Sequence, residues 1–128
     1  MTYTLTIDQK PTYLHAIVTG WNSKENVIRY QEEVFRECIA RRCFKVLIEE
    51  RLEGPRLGIL DVFEIASKAS KEALGTLTAI AYVDVNAKGD LMNFAENVAA
   101  LNGLPLRVFS SVSEAEKWLL EIEDRGTR

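Results

Sequence analysis

The feature that most constrains this fold is a change in the period of the hydrophobic residues after residue 20. Residues 4–8 (Thr-Leu-Thr-Ile-Asp) alternate polar and apolar side chains, and residues 13–19 form a second β-rich run after a Lys-Pro turn. From residue 24 onward, amphipathic stretches of helical period alternate with short apolar runs. A leading hairpin followed by this alternation predicts a single-domain α/β fold with a mixed sheet whose later strands are mostly parallel.

Nine elements fit this pattern, in the order β-β-α-β-α-β-α-β-α. After the hairpin, the predicted strands cover residues 44–48, 77–83 and 106–109, and residues 49–58 form the longest predicted loop. The four predicted helices open at capping or acidic residues, which are Asn22, Asp61, Asp90 and Ser111. The second helix carries a predicted buried stripe of Val62, Phe63, Ala66, Ala69 and Ala73.

The size of the chain favours one domain, because 128 residues is close to the typical length of about 150. We expect residues 1–128 to form a single domain with its core at 3–122. The last residues, 123–128, are expected to be a frayed tail.

The charge and cysteine patterns limit the partners and the location that we expect. A net charge of −3 argues against a nucleic-acid-binding domain, which usually carries a basic surplus. No apolar run approaches the roughly 18 residues of a membrane span, and the first residues do not resemble a signal peptide. Cys38 and Cys43 match neither a redox motif nor a metal-ligand spacing. We therefore expect reduced thiols and a cytoplasmic protein without a membrane span.

Residue types also argue against catalysis. His15 is the only histidine, so a metal site with two histidine ligands is impossible, and its β-rich context favours a plain strand residue. Phosphate-binding glycine motifs are absent from the sequence. Carboxylates adjacent in sequence, such as Glu49 and Glu50, are weak acid–base candidates, because neighbouring residues on a helix or a strand point in different directions. We expect no catalytic residues, no metal and no cofactor.

Packing motifs spread over residues 13–121 are similar to those of a known family. They are the segments 46–49, 52–54, 60–66, 80–83, 94–99 and 102–109, followed by Ala115 and the pair Trp118-Leu119. These segments resemble the STAS superfamily of anti-sigma-factor-antagonist domains, and most of all its small, uncharacterised bacterial SpoIIAA-like proteins. The resemblance implies the STAS fold and a regulatory, protein-binding role.

One departure from this family narrows the expected role. In the family, a serine at the start of the second helix is phosphorylated, which changes the binding of a partner. The matching region here is Gly54–Asp61, and no serine or threonine occurs between Lys24 and Ala66. A phosphoserine switch at that position is therefore chemically excluded.

Polar residues that follow the predicted strands form a candidate ligand or partner site. Ligands of such sheets tend to bind at the carboxyl ends of the parallel strands, where the loops meet. The candidate residues are Trp21, Glu50, Arg51, Glu53, Arg56, Asp84, Asn86 and Lys88.

Two functions remain open from the sequence. The first is a non-enzymatic regulatory or protein-interaction module without the serine switch, for which a homodimer is plausible. The alternative is a domain that binds or senses a small molecule, apolar or lipid-like. The alternative predicts a cavity of about 300 Å³ or more, whereas an interaction module predicts an exposed apolar patch.

Overall fold

The computed structural model describes residues 2–73, 76–86 and 89–122, so the predicted tail at 123–128 lies outside the described residues. The strands are β1 (Tyr3–Gln9), β2 (Leu14–Trp21), β3 (Lys45–Glu53), β4 (Ala79–Asp84) and β5 (Leu106–Val108). The helices are α1 (Lys24–Ala40), α2 (Ile59–Ala73), α3 (Gly89–Leu101) and α4 (Val112–Glu121). This is the predicted order of elements.

The strands form one five-stranded mixed sheet in the order β1-β2-β3-β4-β5. β1 pairs with β2 in antiparallel orientation, and the pairs β2–β3, β3–β4 and β4–β5 are all parallel. The predicted hairpin and the predicted parallel crossovers are both confirmed. Within the part of the chain that is described, no helix is long and apolar enough to cross a membrane.

The helices cover the two faces of the sheet unequally. Because side chains alternate along a strand, the even-numbered positions of β2, β3 and β4 face one side and the odd-numbered positions face the other. Helices α1, α2 and α3 pack on the even face, around residues such as Val18, Ile48 and Ile80. Helix α4 packs alone on the odd face, where Ala115 and Leu119 meet Leu47.

The main difference from the sequence prediction is the length of β3. Residues 49–53, predicted as the start of a loop, continue the strand, pairing with β2 as far as Glu53 and with β4 as far as Glu50. Their charged side chains hide the strand from a hydrophobicity pattern. Partners on both sides of the strand satisfy its backbone, which makes the extension stable.

Two of the helix starts also differ from the prediction. Ser23, and not Asn22, is the N-cap of α1, and its hydroxyl accepts a hydrogen bond from the Asn26 N–H at 3.1 Å. The Asn22 side chain donates instead to the Pro55 carbonyl oxygen at 2.9 Å. Helix α2 begins two residues before the predicted cap, so Asp61 lies in its first turn. A negative charge there interacts favourably with the positive end of the helix dipole.

Helix α4 begins where the capping pattern predicts. The Ser111 hydroxyl accepts a hydrogen bond from the Glu114 N–H at 3.2 Å, which confirms this cap. Of the predicted buried stripe of α2, Ala66 and Ala69 are buried and Val62 is partly buried, but Phe63 is 49% exposed. Ile65 takes its place among the buried residues of this helix. The side chain of Ala73 lies outside the described residues.

Candidate functional site

A cavity lies between helices α2 and α3 and the even face of the sheet. Its volume is about 90 Å³. Most of the lining is apolar, and comes from Val27, Leu57, Val62, Ile65, Ala66, Ala69, Met92, Ala95, Ala99, Leu104, Leu106 and Val108. The remaining lining is polar and consists of Asn22, Gln31, Glu50, Arg56, Tyr82 and Asp84.

The polar lining centres on Glu50, which is only 2% exposed. It lies on β3, and its carboxyl group accepts hydrogen bonds on one oxygen from the hydroxyls of both Tyr30 and Tyr82. Tyr30 comes from α1 and Tyr82 from β4, and their two hydroxyl oxygens are 3.4 Å apart. Three elements thus converge on a single carboxyl group beneath the cavity.

Asp84 is the second carboxyl group of the site. It is the direct register partner of Glu50 on the neighbouring parallel strand, so both side chains project from the same face. Burial is the largest of the effects that together raise the pKa of Glu50 to about 8, and the charge of the neighbouring Asp84 adds to it. The hydrogen bonds from the two tyrosines act in the opposite direction but are weaker. Glu50 is therefore mostly protonated at neutral pH.

Among the described residues of the cavity lining, Arg56 supplies the one cationic side chain. Its guanidinium lies 3.7 Å from an Asp84 carboxylate oxygen. It also donates to the backbone carbonyl oxygens of Leu52 at 2.9 Å and Gly54 at 3.2 Å, which holds it against the end of β3. The described part of the site therefore contains two carboxyl groups and one guanidinium.

Three of the eight predicted site residues come together in this site: Glu50, Arg56 and Asp84. Two others, Asn86 and Trp21, contact residues at the end of β3 but do not line the cavity. Asn86 donates through its side chain to the Leu52 carbonyl oxygen at 2.9 Å, which ties the end of β4 to that of β3. Trp21, 36% exposed, places its indole ring directly over Gly54.

The prediction of one shared rim is wrong for Arg51 and Glu53. Both lie at odd positions of β3 and are exposed on the opposite side of the sheet from the cavity. The Arg51 guanidinium donates to the Glu49 carboxylate, and His15 Nε2 lies 2.8 Å from the other oxygen of that group. Because residues 49–53 continue strand β3, their side chains alternate between the two faces of the sheet. A prediction of a loop for these residues does not include that alternation. Lys88 lies outside the described residues.

The polar cluster around Glu49 is a separate arrangement on the odd face. Burial raises the pKa of Glu49, but hydrogen bonds and charge from Arg51 and His15 outweigh it and hold the pKa below its ordinary value. His15 thus acts as a half-buried strand residue with a carboxylate partner. Among the described residues, no group of three or more histidine, cysteine or acidic side chains could hold a metal ion.

Sequence reasoning missed the two tyrosines and Gln31. Tyr30 lies on the apolar stripe of α1, and Tyr82 interrupts the run Ala-Ile-Ala-Tyr-Val of β4, so both read as ordinary core residues. The available signal was a pair of acidic residues at the ends of two apolar strands. Only the sheet register shows that they are neighbours.

The fold matches solved structures of low sequence identity. An uncharacterised protein of the DUF3478 family from Shewanella loihica PV-4, with a SpoIIAA-like fold, is 20% identical to this chain, with a TM-score of 0.53 over 92% of this chain and 94% of that one. The protein TM1081, solved by NMR, is 15% identical, with a TM-score of 0.46 over 91% of this chain and 88% of that one. No protein-family model and no curated protein matches the sequence. The likeness to the Shewanella protein confirms the predicted SpoIIAA-like fold.

Proposed function

We propose that this SpoIIAA-like domain binds a small molecule with an apolar body and a polar end, and that it does so without catalysing a reaction. The observation that carries the proposal is the cavity itself, an apolar space that ends on the buried carboxyl group of Glu50. Binding sites for small molecules have this composition, with apolar walls and a few polar groups that fix the orientation of the ligand.

The volume of the cavity defines the size of the ligand. At about 90 Å³ this cavity is smaller than the roughly 300 Å³ expected for a drug-sized ligand, so it suits a small ligand and not a lipid-sized one. For comparison, an engineered apolar cavity of about 150 Å³ holds benzene. We therefore propose a ligand of about four or five non-hydrogen atoms.

A binding role is favoured over catalysis by the groups that face the cavity. The described lining contains no serine, cysteine, lysine or histidine, and burial raises the pKa of its one tyrosine, Tyr82, which keeps that hydroxyl neutral and a poor nucleophile. Hydrogen bonds within the protein fix two of the polar groups. Glu50 accepts from two tyrosine hydroxyls, and Arg56 donates to two backbone carbonyl oxygens. Such an arrangement suits the recognition of a ligand.

A matched pair of variants on α3 tests this proposal. Ala99 is buried and lines the cavity, whereas its neighbour Ala100 is exposed, so Ala99→Leu fills the cavity and Ala100→Leu does not. Native mass spectrometry of the purified protein, and thermal shifts with a panel of small amphiphilic compounds, would detect binding. We expect binding by the native protein and by Ala100→Leu, and its loss in Ala99→Leu. No binding by any of the three proteins would contradict the proposal.

A second candidate function, a protein-interaction module, is favoured by a different observation. The first turns of α2 expose three large apolar side chains, Ile59 at 57%, Leu60 at 75% and Phe63 at 49%. Exposed apolar patches of this kind mark interaction surfaces. The partner that we propose is a second copy of the chain. Sedimentation equilibrium would then detect a dimer that the double substitution Leu60→Ser and Phe63→Ser dissociates, and a strictly monomeric native protein would remove this candidate.

We also propose a cytoplasmic location, and the state of the two cysteines supports it. Cys38 and Cys43 are both free thiols. Burial raises the pKa of the Cys38 thiol to about 12, which keeps it protonated and unreactive. Buried reduced thiols are typical of proteins in reducing compartments.

A further inference from the structure

We infer that the ligand of the cavity carries one positive charge, as an ammonium group on a short apolar chain, and that this group pairs with the neighbouring carboxyl groups of Glu50 and Asp84. The inference rests on the proposed function and names the chemical class of its ligand. The polar end of the cavity holds two carboxyl groups, Glu50 and Asp84, and one described cation, Arg56.

The polar end has one negative group more than it has cations. The carboxyl groups of Glu50 and Asp84 both project from the even face, and both side chains are largely buried. Arg56 is the only cationic side chain among the described lining residues, and it faces Asp84. A buried carboxylate without a counter-charge is costly, so Glu50 keeps its proton while the cavity contains no cation.

Apart from Arg56, which faces Asp84, no described lining residue carries a positive charge that could neutralise an ionised Glu50. From α1, Tyr30 donates a hydrogen bond, and from β4, Tyr82 donates a second, while Asp84 lies beside them. Helices α2 and α3 contribute only apolar side chains to the lining: Val62, Ile65, Ala66, Ala69, Met92, Ala95 and Ala99. Burial raises the pKa of both tyrosines well above the ordinary value, so they remain neutral donors.

An ammonium ion therefore enters by exchange. It brings one positive charge and donates N–H bonds to the two carboxyl groups, and the proton of Glu50 leaves to the solvent. The total charge of the site is unchanged by this exchange. An alcohol of the same length leaves the proton of Glu50 in place and gains no ion pair, and a carboxylate adds a second negative charge beside Asp84. The order of affinity is then ammonium, alcohol, carboxylate.

Calorimetric titration with n-butylamine, 1-butanol and butyrate at pH 7 tests this order, because the three probes share one chain length. We expect n-butylamine, which is protonated at this pH, to bind at least tenfold more tightly than 1-butanol. Titrations in two buffers of different ionisation enthalpy should show the release of nearly one proton per ammonium bound. Glu50→Gln cannot release this proton, and we expect its preference for the ammonium to fall below threefold.

The outcomes separate the two proposals. Binding of 1-butanol or butyrate as tight as that of n-butylamine would overturn the inference while leaving the cavity as a ligand site. Binding of none of the three would overturn both. If Glu50→Gln does not fold, the proton release of the native protein decides the matter, since binding of n-butylamine without proton release contradicts the exchange. The Ala99→Leu variant should lose binding of every probe, and retention would place the probe elsewhere.

Discussion

Glu50 and Asp84 are direct neighbours on the parallel strands β3 and β4, and both side chains project from the face of the sheet that α1, α2 and α3 cover. Like charges directly opposite each other destabilise a sheet. The protein avoids this repulsion by keeping Glu50 protonated and by placing Arg56 beside Asp84. The stability of the protein therefore depends on the protonation of Glu50.

The stability of the protein should decrease from about pH 5 to pH 8. The pKa of Glu50 is about 8 when folded, against an ordinary value of 4.5, so the folded protein holds an extra proton throughout this window. Stability falls with rising pH wherever the folded state binds more protons, by at most about 1.4 kcal/mol per pH unit for one proton. Urea unfolding at several pH values measures the slope.

The variant Glu50→Gln isolates this contribution. Glutamine keeps the shape of the protonated carboxyl group but does not titrate, so its free energy of unfolding should depend less on pH between 5 and 8 than that of the native protein. Above pH 8, Glu50→Gln should match or exceed the native stability. A variant with the same pH slope as the native protein would contradict the assignment of the proton to Glu50.

Tyr82→Phe should move the titration of Glu50 to higher pH. The hydroxyl of Tyr82 donates to the Glu50 carboxyl group and favours its ionised form, so its removal raises the pKa further. Removal of this buried hydrogen bond should also cost about 1–3 kcal/mol of stability. NMR of the Glu50 side-chain carboxyl carbon would follow the midpoint directly, and a downward shift would exclude the proposed role.

Gly54→Ala should destabilise the protein where Gly58→Ala does not. Gly54 has a φ of +106°, and a Cβ there would lie 2.9 Å from the Trp21 ring. The backbone conformation alone costs about 1–3 kcal/mol for a residue other than glycine. At Gly58 a Cβ would have no atom within 4 Å, so this control should change stability by less than about 1 kcal/mol. Thermal unfolding compares the two, and equal stabilities would contradict the packing of Trp21 on Gly54.

Lys45→Met should loosen α4. The ammonium group of Lys45 is buried and donates to the carbonyl oxygens of Leu119 and Ile122, each at 3.2 Å, at the end of this helix. Methionine keeps the apolar stem but removes both bonds, for an expected loss of about 1–3 kcal/mol. The control Lys68→Met removes an exposed ion pair with Glu72 and should cost less than about 1 kcal/mol. Faster amide hydrogen exchange in α4 is expected only for the Lys45 variant.

Local patterns in the sequence determined the list of elements and one chemical exclusion. The period of the apolar residues indicates which side of each strand or helix is buried, and Ser111 with Glu114 marks the start of α4, because these signals act between residues a few positions apart. The absence of serine and threonine between Lys24 and Ala66 is a property of the sequence that no folding can change. The order of elements and the mixed sheet therefore followed from the sequence patterns, and the SpoIIAA-like fold was what the family resemblance implied.

Tertiary structure alone decided the site. Glu50 receives its hydrogen bonds from tyrosines 20 and 32 residues away, and it meets Asp84 only because β3 continues to Glu53 in one particular register with β4. A shift of one residue would move Glu50 to the other face. The same alternation sends Arg51 and Glu53 away from the cavity. The register of two parallel strands is set by packing between segments that are far apart in the sequence. The hydrophobic period within one segment therefore cannot predict it.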